Sequence, residues 1–394
     1  MEVEPDPEAL ERDAREQKRA RAAALHARAL PGRGAGLNPA PRYGAAHIER
    51  VDENAPDESA PGEGAPCEGA AGEPVPDSIA TEVRPEAARS LITRNDSPDI
   101  PFTQSINPYR GCEHGCVYCY ARPAHAYVDL SPGLDFETKL FYKADATRLL
   151  REELAAPSYR CSPISLGANT DPYQPVEKRL AITRSILELL SASGHPVTIV
   201  TKGTLVLRDL DLLASLAARG LTQVWISLTT LDDGLKRSLE PRASSPAARL
   251  RALRELSAAG VPVGVMAAPM IPAVNDAELE RLLEAAAGAG ASRAGYVLLR
   301  LPREVAPLFR DWLDRHLPER AAHVMSLVQQ ARGGRDNDPR FGARMRGEGA
   351  WAALLADRFR LACRRLGLGT ERSPPLDTTQ FRPPRLGGQL ELGW

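Results

Sequence analysis

The hydrophobic and polar positions of the chain change their pattern near residue 100. Beyond this point, short runs rich in β-branched residues alternate with longer segments of helical periodicity. Six such runs occur, and they are FTQSIN (102–107), ISLGANT (164–170), PVTIVTKG (196–203), QVWISLTT (223–230), PVGVMAAPMIP (262–272) and AGYVLLRLP (294–302). Apolar strands separated by helices are typical of a parallel sheet covered by helices.

The number of these units predicts the fold. Six βα units in about 200 residues predict an α/β protein with a partial (β/α)6 TIM-like barrel, two units short of the eightfold barrel. Several helical segments end at glycine, as in SASGHP and AARGLT, which is the usual punctuation of a helix C-terminus. Functional side chains are therefore expected at the carboxyl ends of the strands.

Composition predicts three regions along the chain. Residues 96–302 form the barrel, and residues 303–394 form a helical extension, with helices at 304–316, 319–332 and 349–366 before a Pro/Gly-rich tail. Residues 1–95 are expected to be largely disordered. They hold an Ala/Arg-rich arm and then a Gly/Pro-rich stretch, 49–77, with nine acidic residues against one basic residue.

Charge and hydropathy narrow the function classes. The 50 basic and 51 acidic side chains give a net charge of −1, so no overall basic field favours nucleic acid, although the basic arm and the acidic stretch partly cancel. No apolar stretch is long enough for a bilayer span, and the N-terminus lacks the apolar segment of a secretory signal. We expect a cytoplasmic protein with reduced thiols and no membrane partner.

Three of the six cysteines, Cys112, Cys116 and Cys119, lie in the segment CEHGCVYC after the first strand. A structural iron–sulfur cluster or zinc site normally takes four protein ligands. The other cysteines stand in no partner motif, and they are Cys67, Cys161 and Cys363. Three thiolates can hold three corners of a cubane cluster and leave one iron open to a further ligand. A non-catalytic zinc-dependent binding module is the alternative.

The spacing Cys-x3-Cys-x2-Cys after a first strand, with Tyr118 before the last cysteine, resembles the radical S-adenosylmethionine (SAM) superfamily. The segments SPDIPFTQSINPYRGCEHGCVYCYARPAHAY, LGANTDPYQPVE and IVTKGTLVLRDLDLL resemble uncharacterised bacterial members of its spore photoproduct lyase-like (DNA-repair-photolyase-like) branch. The resemblance implies a [4Fe–4S] cluster whose open iron binds SAM. One-electron reduction, by a flavodoxin or ferredoxin, then cleaves SAM to a 5′-deoxyadenosyl radical that abstracts a substrate hydrogen.

The resemblance also implies cofactor-binding residues at two strand ends. Asn169 and Asp171, after the second strand, would hold the amino group of SAM in place of the family's usual acidic motif. Lys202, after the third strand, would reach its carboxylate, for which a compact ammonium is well suited. The plain alternatives are a turn formed by Asn and Asp and an exposed lysine at a strand end.

Three further cofactor contacts are implied. Tyr118 would flank the adenine, Ser227 on the fourth strand would bond the ribose or the carboxylate, and Arg242 on the following loop would clamp a carboxylate. An ordinary strand serine and a structural pair between Glu240 and Arg242 are the alternatives.

The substrate is left open between two classes. A nucleic-acid lesion or modified base is suggested by the likeness to the photoproduct lyase branch, by the arginine-rich arm 12–28 and by the arginine-containing loop 332–346. A peptide or small molecule is the other class. Photoproduct lyase has a hydrogen-donating cysteine near the end of the second strand. This chain has Ala168 or its neighbour at that position, and this difference argues against photoproduct repair itself.

Overall fold

A computed structural model of the protein describes residues 32–43, 79–371 and 375–386. Ten strands lie in these residues: β1 Glu82–Glu86, β2 Ile92–Arg94, β3 Gln104–Ile106, β4 Tyr109–Arg110, β5 Lys139–Lys143, β6 Ile164–Leu166, β7 Val197–Thr201, β8 Thr222–Ser227, β9 Val263–Met270 and β10 Arg293–Leu298. The apolar runs of the sequence therefore contain β3 and β6 to β10.

These six strands form one continuous parallel sheet. The order of the seven-stranded sheet is β10-β9-β8-β7-β6-β3-β2, and every pairing from β3 to β10 is parallel. Only β2, at the edge, runs antiparallel to its neighbour. The expectation of a partial (β/α)6 TIM-like barrel is confirmed. A separate three-stranded sheet, β1-β5-β4, stands beside it.

Helices cover the outer face of the sheet. The α-helices of the described residues are Asp135–Thr138, Ala146–Ala155, Glu177–Leu180, Ile182–Ala192, Leu210–Ala218, Asp233–Leu239, Pro246–Ala258, Leu279–Gly288, Val305–His316, Pro318–Gln330, Ala343–Arg346 and Gly349–Leu366. Three 3₁₀ helices are Arg122–Val128, Thr204–Asp209 and Asp276–Glu278. The helix expected after the second barrel strand is interrupted at Ala181, which has a left-handed backbone with φ 53°.

The core lies between the outer face of the sheet and these helices. Along β7, Val197 and Ile199 are buried among helix leucines, whereas Val200 is half-buried. Along β8, Trp225 is likewise half-buried, and a Cβ atom on the neighbouring Gly264 would stand 2.6 Å from its ring. The inward positions remain partly exposed because the six strands leave the barrel open, so one face of the sheet lines a hollow.

Parts of the region expected to be largely disordered are built into the fold. β1 pairs with β5, and β2 pairs with β3. The sequence did not reveal β1 and β2, because both strands are short and mostly exposed and lack an alternation of apolar and polar residues. Backbone pairing rather than apolar burial holds them in place. Residues 32–43 also pack against the domain. The arm 1–31 and the acidic stretch lie outside the described residues.

The C-terminal extension follows the barrel as a helical layer. Its helices Val305–His316, Pro318–Gln330 and Gly349–Leu366 agree with the predicted segments to within two residues at each end. The tail returns to the barrel, where the Arg382 amide donates to the Ser193 carbonyl at 2.8 Å. None of the described helices combines the length and the apolar character that crossing a bilayer requires.

Candidate functional site

The three predicted cysteine ligands lie together on the loop that follows β3 and β4. Cys112 and Cys116 are buried, and Cys119 is partly exposed. The loop is fixed through its backbone: the Cys112 amide donates to the Phe136 carbonyl at 2.9 Å, and the Val117 amide to the Leu239 carbonyl at 3.1 Å. The cysteines therefore stand at the carboxyl end of the first barrel strand, where the fold places function.

The thiols occupy a site that disfavours their charged forms. Burial raises the pKa of Cys116 to about 12, and the nearby Glu240 carboxylate acts in the same direction. Burial and the charge of Asp171 raise the pKa of Cys112, with smaller contributions from the other two thiols. Thiolates at these positions need positive charge, and iron ions held by all three would supply it. The donor set therefore fits an iron–sulfur cluster.

Within the described part of the chain, no three His, Cys, Asp or Glu side chains are arranged to hold a single metal ion. The cysteines influence one another electrostatically without surrounding one ion. A cubane cluster has a different requirement, because each thiolate binds a different iron.

Lys202 and Ser227 meet beside the cysteines. The Lys202 ammonium donates to the Ser227 hydroxyl at 2.9 Å and lies 5.9 Å from the centre of the Tyr118 ring. Its charge favours the thiolate forms of Cys116 and Cys119. No carboxylate within the described residues forms an ion pair with Lys202. The structure thus brings together three of the predicted cofactor residues, with a cation that is available to a ligand.

Asp171 has protein partners for both of its oxygen atoms. One oxygen accepts from the Thr201 hydroxyl at 2.6 Å and the Tyr173 amide, and the other from the Lys202 amide at 2.7 Å, with His114 Nδ1 at 3.3 Å. Burial alone would raise the pKa of Asp171, but His114 and the hydrogen-bond donors lower it to about 2. The carboxylate therefore joins the ends of the second and third strands to the cysteine loop.

Asn169 differs from Asp171, although both follow β6. Its backbone amide donates to the Asn107 side chain at 2.9 Å. Its own side-chain amide makes no hydrogen bond with the described residues and is half-buried. It is therefore available to a ligand at this strand end.

Tyr118 belongs to a buried polar cluster around Glu240. The sequence had suggested Arg242 as the partner of Glu240, and the structure shows other partners. Its hydroxyl donates to Glu240, which also pairs with Arg249 and accepts from Thr229 at 2.6 Å. Burial opposes ionisation of Glu240, but Arg249 and the other donors lower its pKa to about 2. The partner of Glu240 is thus Arg249 on the next helix.

Arg242 pairs instead with Glu113 inside the cysteine loop, at 3.0 Å, and its amide donates to the His114 carbonyl at 3.2 Å. Its side chain is about one-third exposed, at 36%. These contacts support a role in holding the cysteine loop. A spacing of two residues suggested a pair with Glu240, but the loop after β8 turns the two side chains to different partners.

Reasoning from the sequence missed one group of residues and anticipated only the loop 332–346 of a second group. One is the buried pair of Arg122 and Glu137 behind the cysteine loop, at 2.5 Å. The other is a rim at the end of β10, which consists of two exposed aromatic residues, Tyr120 and Phe341, and two half-buried arginines, Arg300 and Arg344. The arginine in RPAHAY, three residues after the last cysteine, was a signal for the first group. The second group joins three distant parts of the chain, which no local pattern reveals.

The rim combines aromatic rings with arginines. Tyr120 and Phe341 are 46% and 59% exposed, the Arg300 guanidinium lies 5.1 Å from the Tyr120 ring centre, and that of Arg344 lies 4.8 Å from the Phe341 ring centre. Asp99 pairs with Arg344 at 2.5 Å. Arg300 forms no ion pair within the described residues, and its Nε atom is buried without a partner.

Comparison with known proteins agrees with this geometry. Residues 106–286 match the sequence profile of the Radical SAM superfamily. The uncharacterized protein Rv2578c of Mycobacterium tuberculosis is 41% identical over 233 residues, which cover 59% of this chain and 68% of that protein. The uncharacterized protein MJ0683 of Methanocaldococcus jannaschii is 29% identical over 173 residues, 44% of this chain and 62% of that protein.

Among solved structures, spore photoproduct lyase complexed with a dinucleoside spore photoproduct superposes with a TM-score of 0.52 at 18% identity, over 73% of this chain and 81% of that chain. A cysteine-to-serine mutant of the same lyase gives a TM-score of 0.53 at 17% identity, over the same shares. The likeness extends beyond the barrel strands but concerns the fold alone.

An open parallel barrel with a three-cysteine loop after its first strand defines an enzyme class that generates radicals from SAM. The chain belongs to the radical SAM superfamily. It is an enzyme of this superfamily with the overall fold of spore photoproduct lyase.

Proposed function

We propose that the protein binds one [4Fe–4S] cluster through Cys112, Cys116 and Cys119 and uses it to cleave SAM reductively. The observation that carries the proposal is the group of three thiols, two of them buried and one partly exposed, beside Lys202, a cation without a carboxylate partner in the described residues. When bound, the cluster and SAM supply a 5′-deoxyadenosyl radical that abstracts a hydrogen atom from the substrate. The electron comes from a small reductant protein such as flavodoxin or ferredoxin.

The residues around the thiols have separate roles in this proposal. Lys202 binds the carboxylate of SAM, and Ser227 orients the ammonium through their hydrogen bond. Asn169 offers an unused amide to the amino group, and Tyr118 forms an apolar wall. Asp171 and Arg242 hold the cysteine loop, since the Asp171 oxygens already accept from protein donors and Arg242 is paired with Glu113.

Anaerobic reconstitution tests the cluster assignment. We expect about four irons and four sulfides per chain, and formation of 5′-deoxyadenosine when dithionite and SAM are added. Cys116→Ala should abolish both the chromophore and the product. Cys161→Ala is the matched control, because Cys161 precedes β6 at the opposite end of that strand. If Cys116→Ala retains both properties, the proposal is wrong, and a colourless protein that holds zinc supports the binding-module alternative.

For the substrate, we propose a nucleic acid, such as a damaged or modified base. The rim supports this class, because exposed aromatic rings beside arginines are suited to stacked bases and phosphates. The neighbouring Arg346 lies 4.7 Å from the Tyr296 ring centre and adds positive charge. The chain's lack of net charge does not oppose a local surface of this kind.

Binding of a fluorescent single-stranded oligonucleotide distinguishes the substrate classes. A nucleic-acid substrate predicts an affinity that falls steeply between low and physiological salt, because bound phosphates release counterions. Binding that is absent even at low salt would favour the peptide or small-molecule class. Transfer of deuterium from a labelled substrate into 5′-deoxyadenosine then identifies the abstracted hydrogen.

A further inference from the structure

Residues 32–37, which we name the strap, lie directly on the cysteine loop although they precede it by some 75 positions in the chain. The contact is a close approach of two backbones. A Cβ atom on Gly34 would stand 1.8 Å from the Gly115 carbonyl oxygen, so only glycine fits here. Ala35 is 2% exposed and packs in one cluster with Cys116, Val117 and Tyr118. The strap is therefore a wall of the cysteine loop.

Glu137 holds the strap in this position. Its carboxylate is fully buried and accepts from the amides of Gly34, at 3.0 Å, and Ala35, at 2.9 Å. The same carboxylate pairs with Arg122, whose Nε atom donates to the carbonyl of Cys116 at 2.9 Å. One buried carboxylate thus joins the strap, through Arg122, to the backbone of a cluster ligand.

A second connection runs along the other side of the loop. The Arg33 guanidinium donates to the carbonyls of Ile79, at 2.6 Å, and Glu137, at 2.9 Å, and to the Thr81 hydroxyl at 3.1 Å. Thr81 in turn donates to Glu113, which lies between the first two cysteines, at 2.8 Å. Both sides of the cysteine loop are therefore fixed by residues far to its N-terminal side.

We propose that the strap is an integral part of the cluster site and that Glu137 is its positioning residue. The inference rests on the proposed function, because it concerns how firmly the three thiols hold a cluster. A rigid loop keeps its ligands at the spacing that the cluster requires. Mutation of residues that hydrogen-bond to metal ligands typically lowers metal affinity by about 10- to 100-fold. Glu137 touches no thiol, so it acts through Arg122 and through the strap amides.

Replacing one glycine tests the strap. Gly34→Ala places a methyl group against the Gly115 carbonyl and should displace the strap while leaving the barrel core intact. We expect the reconstituted variant to lose iron to a ferrous chelator about 10- to 100-fold faster than the unsubstituted protein under anaerobic conditions. Gly288→Ala is the matched control, because a Cβ atom there meets nothing within 4 Å. If all three proteins release iron at the same rate, the inference is overturned.

Hydrogen exchange of the cluster-free protein gives an independent measurement. The amides of Gly34 and Ala35 should be protected in the unsubstituted protein and should exchange rapidly in Glu137→Gln and in Gly34→Ala. Fast exchange in the unsubstituted protein would overturn the positioning role of Glu137. A different result would refute the proposed function: an unsubstituted protein that binds no iron has no cluster. The strap inference alone fails if the unsubstituted protein binds iron and the strap variants behave like Gly288→Ala.

Discussion

Two sets of arginines stand at the carboxyl end of the barrel, and their surroundings differ. Arg122 and Arg249 are almost fully buried, and each is paired with a buried glutamate and bonded to backbone carbonyls. Arg300, at the end of β10, faces Tyr120 and has no carboxylate partner within the described residues. Burial lowers the pKa of Arg300, and the charge of Arg344 acts in the same direction.

The comparison separates scaffold from binding surface. A buried charge with a matched partner is part of the architecture, because removing either member leaves the other uncompensated. A half-buried arginine without an acid carries a desolvation cost that an incoming anion would offset. The buried pairs therefore fix the cysteine side of the barrel, whereas the unpaired Arg300 on the β10 side supports the proposed binding of an anionic group.

The largest expected effect comes from breaking a buried pair on the cysteine side. Arg249→Met leaves the fully buried Glu240 carboxylate without its cation, so we expect the free energy of unfolding to fall by about 3–5 kcal/mol, measured by urea denaturation of the cluster-free protein.

The double variant Arg249→Met/Glu240→Leu should recover a large part of this loss, because it removes the second charge as well. A loss in the single variant no greater than that of an ordinary surface substitution would contradict the scaffold role.

Acidification should produce the next largest effect, through His195, which lies just before β7. His195 is fully buried between Tyr159 and Phe381, and burial lowers its pKa to about 4, against about 6.5 in the unfolded chain. Between these values the unfolded state binds the proton and the folded state does not. Its contribution to stability is therefore fully present above pH 6.5 and is lost as pH falls to 4, by about 3 kcal/mol.

Urea unfolding at a series of pH values measures this effect, with His195→Gln as the control that removes the titrating group. If both proteins lose the same stability between pH 6.5 and 4, the burial of a neutral histidine is not the cause.

The smallest effect on stability, and the most informative about the rim, is expected for Arg300→Gln. Since no ion pair is lost, the unfolding free energy should change little. Oligonucleotide binding should weaken, and the slope of log affinity against log salt should fall by about one unit if Arg300 contacts a phosphate.

Arg254→Gln, an exposed arginine on the helix Pro246–Ala258, is the matched control and should alter neither quantity. An unchanged salt slope in Arg300→Gln would remove Arg300 from the nucleic-acid surface.

The sequence was sufficient for the barrel because its signals are local. Each of the six apolar runs contains a parallel strand, and the cysteine spacing marks the loop that holds the three proposed cluster ligands. Lys202 was recognisable from its place after a strand and from the scarcity of lysine, with six lysines against 44 arginines. Its lack of a carboxylate partner became visible only in three dimensions.

The partners of the site residues were not recognisable, since each pairing joins distant positions. Glu240 was matched with Arg242 by proximity in sequence, whereas its partner in the structure is Arg249 on the helix Pro246–Ala258. Asp171 was expected to contact the cofactor, and nothing in the sequence indicated the four protein donors around its oxygens. Glu137 carries no local motif, and its importance depends on backbone amides that are about 100 positions away.

The strap has a practical consequence for the choice of boundaries when this enzyme is shortened for expression. Composition alone invites removal of everything before residue 96, a cut that keeps all three cysteines and every barrel strand. Such a protein would lose the two amides that Glu137 requires, the Arg33 guanidinium and the Thr81 hydroxyl. If such a truncated enzyme folds but stays colourless, the cause would be the loss of the strap from the cysteine loop and not the lack of a cluster-binding activity in the full chain.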